Sequence, residues 1–518
     1  MWVALPKNIK ILVITIFAFA LRLLFFNNVT ADNTQDPYWF VALSKGILEG
    51  RYEIEGTFHS VAQPLFPFLT KIITVFTGDY FFSMKAVSVF SGLFAVIVTY
   101  KLFETLESKN VGLLSAYLVS VNPVIWEYSV RPYTDSLYLF FSTLSLFILF
   151  KAKKNYLFLP LLSLSLSLAI LSRNEGYILA AASIISYIYW KRLYITNRIK
   201  ISGARAKIII SSILISLFFN LPWLFFKIVK GGGVYSPEVE SIYHLNSIVG
   251  IDWFNILLKG MGPLFFVVGI IGVMFSLYNA KRRTFYMPLF LYLLFYSILH
   301  FFFVGRYLRY AMPLMPILYG FFSIIVFKAI KSIPRSGAIV LLIFIGVYSF
   351  GFGVYTVENN LNNVNRYVIV KDAMDWINSN SEVNDSILVG DKEVYSYYTA
   401  RNVIGHVSIN FYNENNDYSK IPIFNLMLDK NITYMVAYDS LTPNLYNYSL
   451  HNFLTKQFSP HEFRYEYQKT YQRKTKNPPY FELHGEKHGI FLRFTPILKF
   501  DKNNDSILLY KIESSHGD

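Results

Sequence analysis

Four short stretches concentrate the groups able to do chemistry. The first begins near residue 27 and carries Asp32, Asp36 and His59. The second, SVRPYTDSLYLFF at 129–141, carries Arg131 and Asp135, with Glu127 just ahead of it. The third, LSRNEG at 171–176, holds Arg173 and Glu175, and the fourth, VGRYLRYAMPLMP at 304–316, holds Arg306, Tyr307 and Arg309. A carboxylate can take a proton from an attacking hydroxyl, and the planar fork of arginine can grip phosphate through two parallel hydrogen bonds. Each group also has a plainer reading. Asp36 precedes Pro37 and can simply cap a helix. Asp135 and Glu127 suit helix starts, where the dipole favours an acid. Arg173 and Glu175 can form a local ion pair in a tight turn, and Arg306 and Arg309 can reach lipid headgroups without any catalytic role. On residue chemistry alone these readings stay open.

Other chemistries are excluded. Cysteine is absent from all 518 residues, which removes disulfides, thiolate metal sites and cysteine nucleophiles. There is no G-x-x-x-x-G-K-[ST] loop, no H-E-x-x-H pair and no G-x-S-x-G elbow. The nine histidines form no ligand-like cluster, and no D-x-D-like carboxylate cluster falls in the apolar part, so a divalent metal is not expected and no cofactor is called for.

The elements that must position these groups are membrane helices. The chain is 54% hydrophobic and 16% charged, whereas a soluble domain carries roughly a quarter charged residues. Runs long enough to span, or nearly so, cover about 11–26, 80–100, 111–126, 135–150, 156–172, 177–190, 207–227, 262–279, 285–304, 310–328 and 338–356. The expectation is about eleven transmembrane helices, the fifth and sixth short. The first reads as a membrane helix rather than a cleaved signal peptide, because Arg22 interrupts it and no small-x-small site follows.

Charge orients the helices. Residues 1–357 hold 31 Lys and Arg against 14 Asp and Glu, and residues 358–518 hold 17 against 19. The excess therefore lies between apolar segments, where it orients helices instead of binding nucleic acid. Lys7, Lys10, Lys101, Lys109, Lys151, Lys153, Lys154, Lys191 to Lys207, Lys281 to Arg283 and Lys328 to Arg335 fall on one side, the cytoplasm. The amino terminus is then cytoplasmic, and the four polar stretches and everything after residue 357 face outward. The expected division is a transmembrane domain over 1–357, with a long first outer loop at 27–79, and an extracytoplasmic domain over 358–518. Within that loop, 38–48 suits a helix lying in the interface and 65–76 is apolar but too short to span. The tail mixes a helical pattern at 366–377 with strand-like runs such as SILVG, ITYMVAY, GIFLRF and SILLYKI, so it reads as a small α/β or α+β domain.

Taken in order and sidedness, DPYWFVALSKGILEG, NPVIWEYSVRPYTDSLYLFFSTLSLF, LAILSRNEGYIL and GRYLRYAMPLMPIL resemble the GT-C glycosyltransferases, in the branch of the protein O-mannosyltransferases and the lipid A aminoarabinose transferase. The resemblance covers about 10–330. It implies an enzyme of the cell membrane that moves a sugar from a polyprenyl- or dolichyl-phosphate carrier to an extracytoplasmic protein, glycan or lipid, with inversion. It also implies Asp36 as the base acting on the acceptor and Asp135 as a supporting acid; Arg306, Arg309 and Arg131 are the candidates for the donor phosphate. The W-W-D-x-G signature of oligosaccharyltransferases is missing, which argues against transfer of a preassembled glycan to asparagine. The alternative is a transporter or flippase of a lipid-linked glycan. That reading would place ionisable groups in mid-span, whereas the acids gather at one face.

Overall fold

The computed structural model describes residues 7–26, 36–54, 57–59, 62–194, 203–231, 250–301, 307–362, 368–389, 392–405, 432–440, 481–485, 490–502 and 505–516. Two compact units divide the chain: Met1–Thr30, Leu43–Tyr52 and Phe58–Asn362 form the first, and Ala31–Ala42, Glu53–Thr57 and Asn363–Asp518 form the second.

The apolar runs of the sequence become helices. Helix α1 spans Lys7–Phe26, and α2 spans Asp36–Gly46, of which residues 36–42 belong to the second unit. Two short strands, β1 (Glu53–Ile54) and β2 (Thr57–Phe58), pair with each other. There follow α3 (Leu65–Thr77), α4 (Tyr80–Leu106), α5 (Lys109–Val121), α6 (Pro123–Val130), α7 (Asp135–Lys154), α8 (Leu159–Ser172), α9 (Gly176–Tyr194) and α10 (Gly203–Gly231). Beyond residue 249 come α11 (Gly250–Met261), α12 (Pro263–Tyr278), α13 (Ala280–Phe285) and α14 (Met287–Phe301). A 3-10 turn at Leu308–Leu314 leads into α15 (Met315–Ile330), and α16 (Arg335–Asn362) closes the unit.

Among the described residues six helices are long and apolar enough to cross a membrane, or seven if the bent pair α11 and α12 is one span. Shorter apolar helices at Leu65–Thr77, Tyr156–Ser172, Gly176–Trp190 and Met287–Phe301 fall below that length. The segment read as one span over 111–126 is broken. Asn122 caps α6 by accepting from the Ile125 amide at 2.9 Å, Pro123 takes the first helical position, and the Asn122 amide donates to the Gly260 carbonyl and the Tyr319 hydroxyl. The 111° bend between α11 and α12 sits at Gly262, whose φ of +85° suits glycine, followed at once by Pro263. Helix α4 lies at the centre, buried along most of its length. By contrast α10 and α16 expose Phe218, Phe225, Phe344 and Val347, as helices facing lipid would.

In the second unit, α17 (Val368–Asn380) buries Val370, Ala373, Met374 and Ile377, one stripe at helical spacing. It precedes β3 (Ser386–Val389), α18 (Lys392–Tyr398), β4 (Asn402–Gly405), β5 (Ile432–Ser440), β6 (Phe481–Gly485), β7 (Ile490–Lys502) and β8 (Asp505–His516). The six strands from β3 to β8 form one mixed sheet in the order β4-β3-β5-β8-β7-β6, parallel on either side of β3 and antiparallel from β5 onward. The fully buried run of β3 is what a strand needs when both faces are covered.

Candidate active site

Asp135 opens α7 beneath a turn held from two sides. The Ser88 hydroxyl on α4 donates to the Tyr133 carbonyl at 3.0 Å, and the Ser136 hydroxyl donates to the Tyr128 carbonyl at 3.0 Å. The Asp135 side chain does not cap its helix. Its Oδ1 accepts from Arg173 Nη1 at 2.5 Å, while Oδ2 is buried with no hydrogen-bond partner. Arg173 ends α8, and the next residues reverse the chain into α9. Only glycine serves at position 176, because a Cβ there would meet the Ile170 backbone at 2.5 Å. The reversal brings Glu175 back against Arg173: Nη2 lies 2.7 Å from Oε1, and Nε donates to both carboxylate oxygens at 3.2 Å.

The electrostatics follow from this packing. Burial acts to raise the Glu175 carboxyl, but the Arg173 charge and its hydrogen bonds outweigh it and hold the carboxyl at about 2. Burial acts to lower the Arg173 guanidinium, and Asp135 and Glu175 together keep it well above its ordinary value. The cluster is therefore two acidic side chains around one guanidinium, largely withdrawn from water.

Aromatic groups frame it. The His300 Nε2 lies 4.0 Å from Glu175, and its ring stacks between Trp253 and Tyr310 at 4.9 and 5.3 Å. Arg173 lies over the other ring of that stack, Tyr310, at 5.2 Å. The Arg309 guanidinium lies over Tyr133, Tyr307 and Tyr310 at 4.7, 4.8 and 5.6 Å, so it joins the turn before α7 to the 3-10 turn before α15. Arg131 is paired at 2.7 Å with Glu127 one helical turn earlier, and Asp135 takes Arg173 rather than its sequence neighbour. Thus Asp135, Arg173, Glu175, Arg309 and Tyr307 come together, with the Arg131–Glu127 pair alongside in the same unit.

Of the remaining candidates, Asp36 starts α2 in the second unit. His59 follows β2, and burial, then the charge of Lys227, lowers it to about 4. Asp32 and Arg306 lie outside the described residues. Among the described residues no group of three His, Asp or Glu gathers as a metal site would need.

Sequence reasoning missed His300, Tyr310 and Gln63. A lone histidine inside the apolar run 287–301 was the available signal for the first, since ionisable groups in such runs are rare. Gln63 had none. Its amide donates to Asn174 Oδ1 at 2.5 Å and accepts from the Trp223 indole at 2.8 Å, which ties the turn carrying Arg173 and Glu175 to α10.

Comparison with known proteins agrees with this architecture. Residues 60–224 match the family described as dolichyl-phosphate-mannose-protein mannosyltransferase. A search of characterised proteins by sequence finds no match. Among solved structures, ArnT from Cupriavidus metallidurans bound to undecaprenyl phosphate superposes with a TM-score of 0.62 at 11% identity, over 96% of this chain and 97% of that one. Its apo state gives 0.56 at 12% identity, over 82% and 92%. The apo oligosaccharyltransferase of Archaeoglobus fulgidus gives 0.58 at 12% identity, over 83% and 69%. The fold is shared with these proteins, and the family match over 60–224 agrees with the resemblance carried by the sequence motifs. The chain is a membrane protein.

Proposed function

We propose that the chain is a membrane glycosyltransferase that moves a single sugar from a polyprenyl- or dolichyl-phosphate carrier to an extracytoplasmic hydroxyl acceptor, with inversion at the anomeric carbon. The observation that carries the reading is the convergence, in one unit, of three helix-end turns far apart in sequence, 131–135, 173–175 and 307–310, with their acids and arginines. Sharing a fold with an oligosaccharyltransferase and with a protein that binds undecaprenyl phosphate supports it.

In this reading the acceptor hydroxyl gives its proton to Asp36 as its oxygen bonds to the anomeric carbon. The bond from that carbon to the phosphate oxygen breaks, and the lipid phosphate leaves with the electron pair. Charge growing on the phosphate is met by Arg309, with Arg306 beside it in sequence, and arginine rather than a metal does this work. Arg173 is already committed to two carboxylates and serves to hold Asp135, whose second oxygen is left to accept from a hydroxyl. The amino terminus is cytoplasmic, and the early loop and the tail face outward, so protease added to intact spheroplasts should digest a tail epitope tag.

The decisive experiment supplies radiolabelled polyprenyl-phosphate monosaccharides to the purified chain. Transfer to an acceptor, or slow hydrolysis, is expected with at least one sugar. Asp36→Asn should retain fold and donor binding yet lose turnover by a factor on the order of 10². Movement of a lipid-linked glycan across vesicles without transfer would favour the transporter instead.

A further inference from the structure

Residues 31–42 belong to the same compact unit as the tail, and a tyrosine contact joins the two segments. The Tyr38 side chain is 1% exposed. Its hydroxyl lies 2.8 Å from that of Tyr398, and its ring meets those of Tyr397 and Tyr398 at 5.8 and 6.1 Å. Tyr38 and Asp36 are two positions apart on α2. At 3.6 residues per turn they point about 200° apart, onto opposite faces. The tail therefore meets α2 through Tyr38, which lies on the helix face opposite Asp36.

The gripping surface is braced. Asn378, near the end of α17, donates from its amide to the Tyr398 carbonyl at 2.9 Å and accepts from the Thr399 hydroxyl at 2.6 Å. Arg401 then closes the end of α17: Nη2 donates to the carbonyls of Asn378 and Ser381 at 2.9 and 2.7 Å, and Nε donates to the Ser381 hydroxyl at 3.0 Å. Carbonyls in the last turn of a helix lack partners within it, so one arginine satisfies them and fixes α18 to α17 together. The next residues enter β4, which pairs with β3 in register from Ser386↔Asn402 to Val389↔Gly405. Tyr398 is thus presented from two helices and a sheet. Burial raises its hydroxyl above the ordinary tyrosine range, so it stays protonated and able to bond.

We infer that the tail positions Asp36: Tyr398, with Tyr397 beside it, sets the pose of α2 through Tyr38 and so aims the carboxylate on the opposite face. Tyr38 and Tyr398 are positioning residues, and the soluble part of the chain acts in transfer without touching substrate. The inference rests on the reading of Asp36 as the base.

The test uses the full chain. Tyr398→Phe and Tyr38→Phe should each lower transfer about fivefold, the scale of one hydrogen bond, and leave retention of undecaprenyl phosphate through gel filtration unchanged. The double variant should lose no more than either single one, because both remove the same bond. Undiminished turnover, multiplied losses, or a matching fall in lipid retention would each overturn the inference. Should the Phe variants not fold, the absence of cysteine gives an independent measurement. In a Tyr38→Cys, Tyr398→Cys chain a bismaleimide should join the two sites, so that after cleavage at methionine the fragments 2–84 and 375–427 migrate together. Fragments that separate after such treatment would also refute it. The underlying reading fails differently, through a parent chain that transfers nothing or an Asp36→Asn variant that transfers normally.

Discussion

Two charge clusters of the first unit mirror each other, two carboxylates on one arginine and two lysines on one carboxylate, and differ in character. Near the start of α4, Ser88 holds the turn above Asp135, where two carboxylates share Arg173. Sixteen residues on, at about 24 Å along the same helix by its rise, Glu104 meets Lys101 at 3.1 Å and Lys109 at 3.9 Å. The Asp135 and Arg173 side chains are 4% and 15% exposed, whereas both lysines are 49% exposed. Burial decides what each cluster can do. Water and salt relax the Glu104 group at little cost, so its geometry is soft. At Asp135 the charges were taken out of water and must satisfy one another, which fixes the side chains in one arrangement. The buried acid keeps one acceptor oxygen fixed in place, whereas the lysines of the other cluster stay at the surface.

The largest expected consequence is that Arg173→Met destabilises the chain by about 3–5 kcal/mol, because it leaves Asp135 and Glu175 buried without their cation. Unfolding in detergent, followed by the temperature at which the protein leaves solution, measures this. A loss below about 1 kcal/mol would make the two clusters equivalent and end the comparison.

Acid sharpens the same contrast. The Glu175 carboxyl falls from an ordinary 4.5 to about 2 in the folded chain. A depressed carboxyl contributes stability that is complete above its unfolded value and is lost as pH falls through its folded one. The stability gap between the parent and Glu175→Gln should therefore narrow by about 3 kcal/mol as pH drops from 4.5 towards 2. His59, lowered by burial to about 4, destabilises both chains alike as pH falls below 6.5 and so cancels from the gap; a gap that closes wholly above 4.5 would overturn the assignment to Glu175.

Arg309 tests whether the aromatic frame around the cluster serves an anion. Arg309→Ala should weaken undecaprenyl phosphate retention about tenfold, and Arg309→Lys should restore it only in part, since the ammonium lacks the fork. Equal retention in all three proteins would leave the guanidinium as packing for Tyr133, Tyr307 and Tyr310.

The sequence made the helices legible and left their connections less so. Apolar runs announced α1, α4, α7 and α10 directly, because a membrane helix needs little else. The break at Asn122 was hidden, since apolar residues continue through it and only the dipeptide Asn122-Pro123 marks it; at Gly262 a run began at 262, but nothing announced α11, which bends into it. In the tail, SILVG and ITYMVAY became β3 and β5, yet the pairing of β3 with β4 and β5 is a matter of tertiary contact. The site divided in the same way. Residue types located Asp135, Arg173, Glu175 and Arg309 but not which acid meets which arginine: Arg131, four positions from Asp135, pairs with Glu127, and Asp135 takes Arg173. The partner lies 38 residues away, and no local pattern encodes it.

The smallest effect belongs to the other end of α4. Removing the cations there, as Lys101→Ala with Lys109→Ala, strips Glu104 of both ion pairs but leaves it the Tyr100 hydroxyl at 2.9 Å and access to water. Exposed pairs of this kind are worth about 0.2–1 kcal/mol, because the Coulomb gain in water is offset by ordering two long side chains. Their charges are also separated from solvent ions by less than a Debye length, about 10 Å at 0.1 M salt, so added salt competes with them. The double variant should thus unfold within about 1 kcal/mol of the parent at low salt and become indistinguishable from it near 1 M. The Arg173 cluster, shielded from those ions, should keep its full effect across the same range. A lysine effect that is large and insensitive to salt would mean that Glu104 is buried in the membrane-embedded protein, and that depth, not partner choice, had been misjudged at that end of α4.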